Sequence, residues 1–176
     1  MILNKNQQIY FYLIGIFSLI ISSIMGENSS GGSKLDNEIT RQFIDNFLIS
    51  FDNGIKYFIN SGQVQSPLFY VLASIIEKTL GVTFLKYSYL FISSIIPVIF
   101  YISLKKKFTG INKNILFLLS LIIFFSPYFR SSAVWVTTDN FAIIFFILSV
   151  NKYLDFEKKN TNQNIILCIL YISIAV

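Results

Sequence analysis

The 176-residue chain contains no histidine and a single cysteine, Cys168. The commonest general base and the commonest zinc ligand are therefore missing. Acid/base chemistry in this chain falls to carboxylates. Three of them stand where a reaction could use them. Asp36 and Glu38 lie in "GGSKLDNEITRQF", just after a membrane-length apolar run, and Asp139 lies in "VWVTTDNFAIIFF", at the head of another. Each also has a purely structural use. Aspartate is a favoured N-cap, and acids in a first turn oppose the helix dipole. Ser33, three residues before Asp36, resembles the opening of a capping box, and Thr138 or Asp139 would cap the helix that follows them.

Composition decides what positions these acids. The chain is 54% hydrophobic and only 13% charged, against about 25% charged in an ordinary soluble domain. It belongs to the membrane class. The net charge of +5 comes from basic residues that punctuate apolar runs. Membrane topology produces that pattern; nucleic-acid binding needs them clustered on one polar face. Cys168 sits inside an apolar run with no partner for an intrachain disulfide.

The apolar runs predict an all-α, polytopic transmembrane bundle of about five spans: 9–25, 87–104, 114–129, 140–154 and 164–176. The first reads as an uncleaved span, because "SSIMGE" lacks the small-x-small site of a signal peptide. The last is cut off within "CILYISIAV", so the single transmembrane domain 1–176 reads as the N-terminal part of a larger protein. Residues 26–81 form a long loop between the first two spans. "SPLFYVLASIIEKTLG" within it is too short to cross and predicts an interfacial or re-entrant helix opened by Pro67. If that segment stays on one side, eight Lys/Arg face inward and six outward, while two acids face inward and seven outward. The positive-inside rule favours this arrangement. The N-terminus is then cytoplasmic, and all three candidate acids are extracytoplasmic.

Within the loop, Ile39, Phe43, Phe47, Phe51 and Ile55 recur every four residues, with Arg41, Asp45, Asp52 and Lys56 between them. This predicts an amphipathic helix lying on the membrane, apolar side down, with a break near Gly54. Trp135 reads as an interfacial anchor. No predicted span carries an ionisable residue near its middle, which argues against an ion-coupled transporter.

Taken together, "LDNEI" (35–39), "QSPLFYVLASII" (65–76) and "SPYFRSSAVWVTTDNFAIIFF" (126–146) follow one order and one sidedness. In that layout the chain resembles the N-terminal part of the C-superfamily (GT-C) of integral membrane glycosyltransferases, nearest the protein-mannosyltransferase and lipid A aminoarabinose-transferase group. The dolichyl-phosphate-glucose-using glucosyltransferases share a similar opening. Two features depart from the family pattern. Asn37 separates acids that are usually adjacent, and Ser66 stands where the family often has histidine.

The resemblance implies inverting transfer of a sugar from a polyprenyl-phosphate donor to a lipid, glycan or protein acceptor outside the cytoplasm, with membrane lipids around the site and no nucleic acid. It implies Asp36 as general base or acceptor positioner, with Glu38 as the second choice, and Asp139 as a residue that orients the acceptor or holds a divalent ion with Asp36. Arg41, Lys86 and Arg130 are then the candidates for the donor phosphate. No metal ligand set is assigned, and a divalent ion between Asp36 and Asp139 stays open. Rival readings are an oligosaccharide ligase or polymerase, a lipid or polysaccharide transporter, and a non-enzymatic membrane subunit.

Overall fold

A computed structural model describes residues 3–28, 32–63 and 66–175. Residues 29–31 and 64–65 of the predicted outer loop, and Val176 at the end of the fifth predicted span, lie outside the described residues. Among the described residues every regular element is helical.

Helix α1, Lys5–Met25, starts at a reciprocal cap. Asn4 Oδ1 accepts from the Gln7 amide at 2.9 Å, and Gln7 Oε1 accepts from the Asn4 amide at 2.9 Å. It ends at Gly26, whose φ of 62° closes the helix in the left-handed region that glycine tolerates. Helix α5, Val82–Lys107, closes on Lys105, Lys106 and Lys107, cations that suit the negative end of a helix dipole. These two helices are long and apolar enough to cross a membrane, and they contain the predicted spans 9–25 and 87–104.

The third predicted span is broken. Helix α6, Lys113–Leu121, tightens into a 3-10 turn, Ile122–Phe125, and α7, Pro127–Trp135, leaves at 61°. The cause is local. Pro127 forces Ser126 out of the helical region, to φ −71° and ψ 117°, and Ser126 then caps the new helix by accepting from the Phe129 amide. The bent pair brings the number of membrane-crossing candidates to three at most. Helix α8, Thr138–Lys159, is long, but its last turns carry Asp155, Glu157, Lys158 and Lys159. Helix α9, Asn162–Ala175, has only 14 residues.

Helices α5 and α8 run parallel, and polar pairs fix their register. The Tyr89 hydroxyl donates to the Thr137 carbonyl. Asn140 Nδ2 donates to Ser93 Oγ at 3.1 Å, Asn151 Nδ2 bonds Ser103 Oγ, and Lys106 pairs with Asp155 at 2.8 Å. In an apolar solvent such bonds hold helices together at about 0.6 kcal/mol each. Phe124 and Ile96 fill the space between α1, α5 and the 3-10 turn. Gly15 lets α1 approach the Phe124 ring, where a Cβ would fall 2.2 Å from a ring carbon.

The outer loop folds into three helices, where the sequence predicts a surface helix broken near Gly54 and a short helix opened by Pro67. Helix α2, Gly32–Ile49, breaks at Ser50, which caps α3, Phe51–Asn60, by accepting from the Asn53 amide at 3.1 Å. Gly54, the expected break, lies inside α3 against the Phe47 ring. The apolar stripe is split as well. Phe43 and Phe47 pack with Phe69 and Tyr70 of α4, Leu68–Leu80, and with Leu85 and Tyr89 of α5, while Ile39 and Phe51 remain exposed. Much of the predicted membrane-facing side is thus turned onto protein. Pro67 precedes the first residue of α4, in line with its predicted place at the start of a short helix.

Candidate functional site

Helix α2 crosses the turn between α7 and α8, and a cleft of about 220 Å³ lies on one side of the crossing. Asp36, Ile39 and Thr40 line it from α2, Thr137, Thr138 and Asp139 from the start of α8, and Tyr70 from α4. Asp36 and Asp139, far apart in the chain, therefore share one cavity. Glu38 is exposed and does not line it.

The two acids stand in different surroundings. Asp139 is half-buried in the first turn of α8, where the helix dipole favours a carboxylate. Its Oδ2 accepts from Ser132 Oγ at 2.9 Å and from Thr137 Oγ1 at 2.6 Å, and Tyr128 bonds the same carboxylate. The Ser132 and Thr137 hydroxyl oxygens also lie against each other. Below them the Tyr89 hydroxyl bridges the Thr137 carbonyl and the Phe141 amide, the latter at 3.2 Å. Asp139 is thus held in one orientation. Asp36 is exposed and makes no hydrogen bond or ion pair with the other described residues. Its helix begins at Gly32, so neither Asp36 nor Glu38 lies in the first turn, and the expected capping role does not apply to either. At α8 the cap position is taken by Thr137 rather than by Thr138 or Asp139.

The turn itself is unusual. Val136 ends α7 with φ 55° and ψ 55°, a left-handed conformation that costs a β-branched residue energy. That turn swings Thr137 back over Ser132 and points the head of α8 into the cleft. Tyr70, on the cleft wall, has its hydroxyl pushed up by burial and then by the Asp139 charge, so it stays protonated at neutral pH.

The three candidate cations separate. Arg130 is clamped by Glu27 through two bonds of 2.8 and 2.9 Å and also donates to the Phe124 carbonyl at 3.1 Å. Trp135 Nε1 donates to the Glu27 carbonyl at 2.8 Å, so this cluster ties the end of α1 to α7. Arg41 bonds both carboxylate oxygens of Glu77 on α4 and also pairs with Asp45 at 2.8 Å. Lys86 is exposed, makes no ion pair among the described residues, and lies with Arg41 on a second cleft across α2. None of the three lines the cleft that holds Asp36 and Asp139.

The chain matches no known protein family, no curated protein and no solved structure.

Function therefore rests on the site's own chemistry. A fixed carboxylate and a solvent-accessible one face a polar cavity ringed by hydroxyls, an arrangement able to orient a hydroxyl group and remove its proton. No group of three metal-ligating side chains forms among the described residues, and three hydroxyls already bond the Asp139 carboxylate. Several contributors were not singled out in the sequence: Ser132, Thr137, Tyr70, Tyr89 and Glu27. The run Ser131-Ser132 followed by Thr137-Thr138 ahead of an acid was the one available signal for the hydroxyl shell.

Proposed function

We propose that the chain is part of a membrane glycosyltransferase that moves a sugar from a polyprenyl-phosphate donor to an acceptor hydroxyl on the extracytoplasmic face. The observation that carries this reading is the shared cleft of Asp36 and Asp139. Asp36 takes the acceptor proton. The freed oxygen lone pair forms a bond to the anomeric carbon, and the bond from that carbon to the phosphate oxygen breaks, its electron pair leaving with the lipid phosphate. Attack opposite the leaving group inverts the anomeric centre. Asp139, held by its hydroxyl shell, orients the acceptor. In this reading the bundle has about five spans, with α8 and α9 crossing as a hairpin and the cytoplasmic lysines at the opposite end from the cleft. No step is routed through a metal ion.

The test is sugar transfer from a polyprenyl-phosphate sugar in membranes containing the Asp36→Asn variant. Loss of transfer at normal expression supports the reading. Full turnover by the variant removes Asp36 from the mechanism.

A further inference from the structure

The left-handed turn at Val136 divides the outer surface in two. On the side away from Asp36 lies a second cleft of about 170 Å³, lined by Arg41 of α2, Lys86 of α5 and Trp135 of α7. Ile44, Leu85 and Val134 give it an apolar floor. Lys34 stands over the Trp135 ring, 5.8 Å from its centroid. The charge is unevenly compensated. Glu77 and Asp45 both face Arg41, whereas Lys86 and Lys34 form no ion pair among the described residues. The cleft sits where α5 begins, just outside a helix able to cross a membrane, and its tryptophan is of the type that settles at headgroup level.

An apolar floor bordered by the Lys86 ammonium group and an indole, with the Lys34 ammonium group over that indole, fits an acyl-bearing phosphate ester. We propose that this second cleft seats the phosphate headgroup of an anionic membrane lipid, with Lys86 as its principal contact, Lys34 as the second, and Trp135 packed against the upper acyl region. Arg41, neutralised on both sides, forms the wall. The proposal does not depend on the transferase reading, because the site lies across α2 from the candidate acids and its test involves no turnover.

Trp135 is the only tryptophan in the chain and lines the cleft, so it reports occupancy directly. The chain is reconstituted in nanodiscs containing acyl-brominated phosphatidylglycerol or, at equal mole fraction, acyl-brominated phosphatidylcholine, and Trp135 fluorescence is recorded. Phosphatidylglycerol is expected to quench with about five-fold greater apparent affinity, as one well-placed lysine confers at an anionic surface. Lys86→Gln should abolish the preference and Lys86→Arg should keep it. Lys86 is exposed, so neither change threatens folding. Equal quenching by the two lipids, or an undiminished preference in Lys86→Gln, overturns the proposal. Displacement of phosphatidylglycerol by excess inorganic phosphate overturns it too, because the site would then recognise a free anion.

Discussion

Asp36 on α2 and Asp139 at the head of α8 line one cleft, and they do so in unlike states. Asp139 is fixed by Ser132, Thr137 and Tyr128, while Asp36 is exposed and makes no bond to the other described residues. The difference divides their expected roles. Asp36→Asn should lower transfer by about 10²–10⁴-fold, the usual range for loss of a general base, with little change in thermal stability because the residue caps nothing. Glu38→Gln should leave turnover near that of the unaltered chain, since Glu38 lies outside the cleft. Equal losses in the two variants, measured as initial rates in membranes, would refute this division.

In the proposed reaction Tyr89 acts as a positioning residue. Its buried hydroxyl joins the Thr137 carbonyl to the Phe141 amide, directly beneath Asp139. Tyr89→Phe leaves both groups short of a partner and should cost about 1–3 kcal/mol of stability. A role confined to stability predicts unchanged turnover per folded molecule. A positioning role predicts that kcat falls while the donor KM holds.

The Glu27–Arg130 pair gives a pH-dependent contribution. Hydrogen bonds from Arg130, and secondarily from Ser22, hold the Glu27 carboxyl below its ordinary value, although partial burial opposes them. A carboxyl lowered in the folded state contributes stability that is fully present above its unfolded pKa, about 4.3. That contribution is lost as pH falls through the folded value. The difference in melting temperature between the unaltered chain and Glu27→Gln should be largest at neutral pH and close in acid. A pH-independent difference in detergent-solubilised protein would show that the pair contributes through packing alone.

Gly54 tests the α2–α3 hairpin. A Cβ there would lie 2.1 Å from a carbon of the Phe47 ring. Gly54→Ala should therefore destabilise by about 1–3 kcal/mol through overpacking, and adding Phe47→Leu should recover part of the loss. Thermal unfolding of the single and double variants measures the coupling. Additive effects would mean that the two residues do not touch.

Much of the architecture was legible because apolar run length and basic punctuation depend on one-dimensional physics. The helices at 9–25 and 87–104 and the short helix after Pro67 follow from chain length, proline geometry and solvent, whereas the continuous third span expected over 114–129 is broken at Pro127. The surface-helix expectation fared less well. A four-residue period shows that one face is apolar but not what covers it, and Phe43 and Phe47 found Tyr70 and Tyr89. The break expected at Gly54 lay instead at Ser50, since a glycine that ends one helix can equally admit a ring within another.

The sequence by itself determined that this is a helical chain with segments long and apolar enough to cross a membrane, and that acid/base work, where the chain performs it, falls to carboxylates. Both conclusions follow from residue types alone: apolar length, and the absence of histidine. Only the tertiary structure decided that Asp36 meets Asp139 while Glu38 does not, and that Arg41 and Arg130 are engaged in clamps while Lys86 is not. The first outcome depends on the helical phase of α2 against the Val136 turn, since about 100° per residue puts side chains two positions apart on nearly opposite sides of one helix; the second depends on which acids packing brings alongside, Glu77 to Arg41 and Glu27 to Arg130. Phase becomes meaningful only once the partner surface is in place.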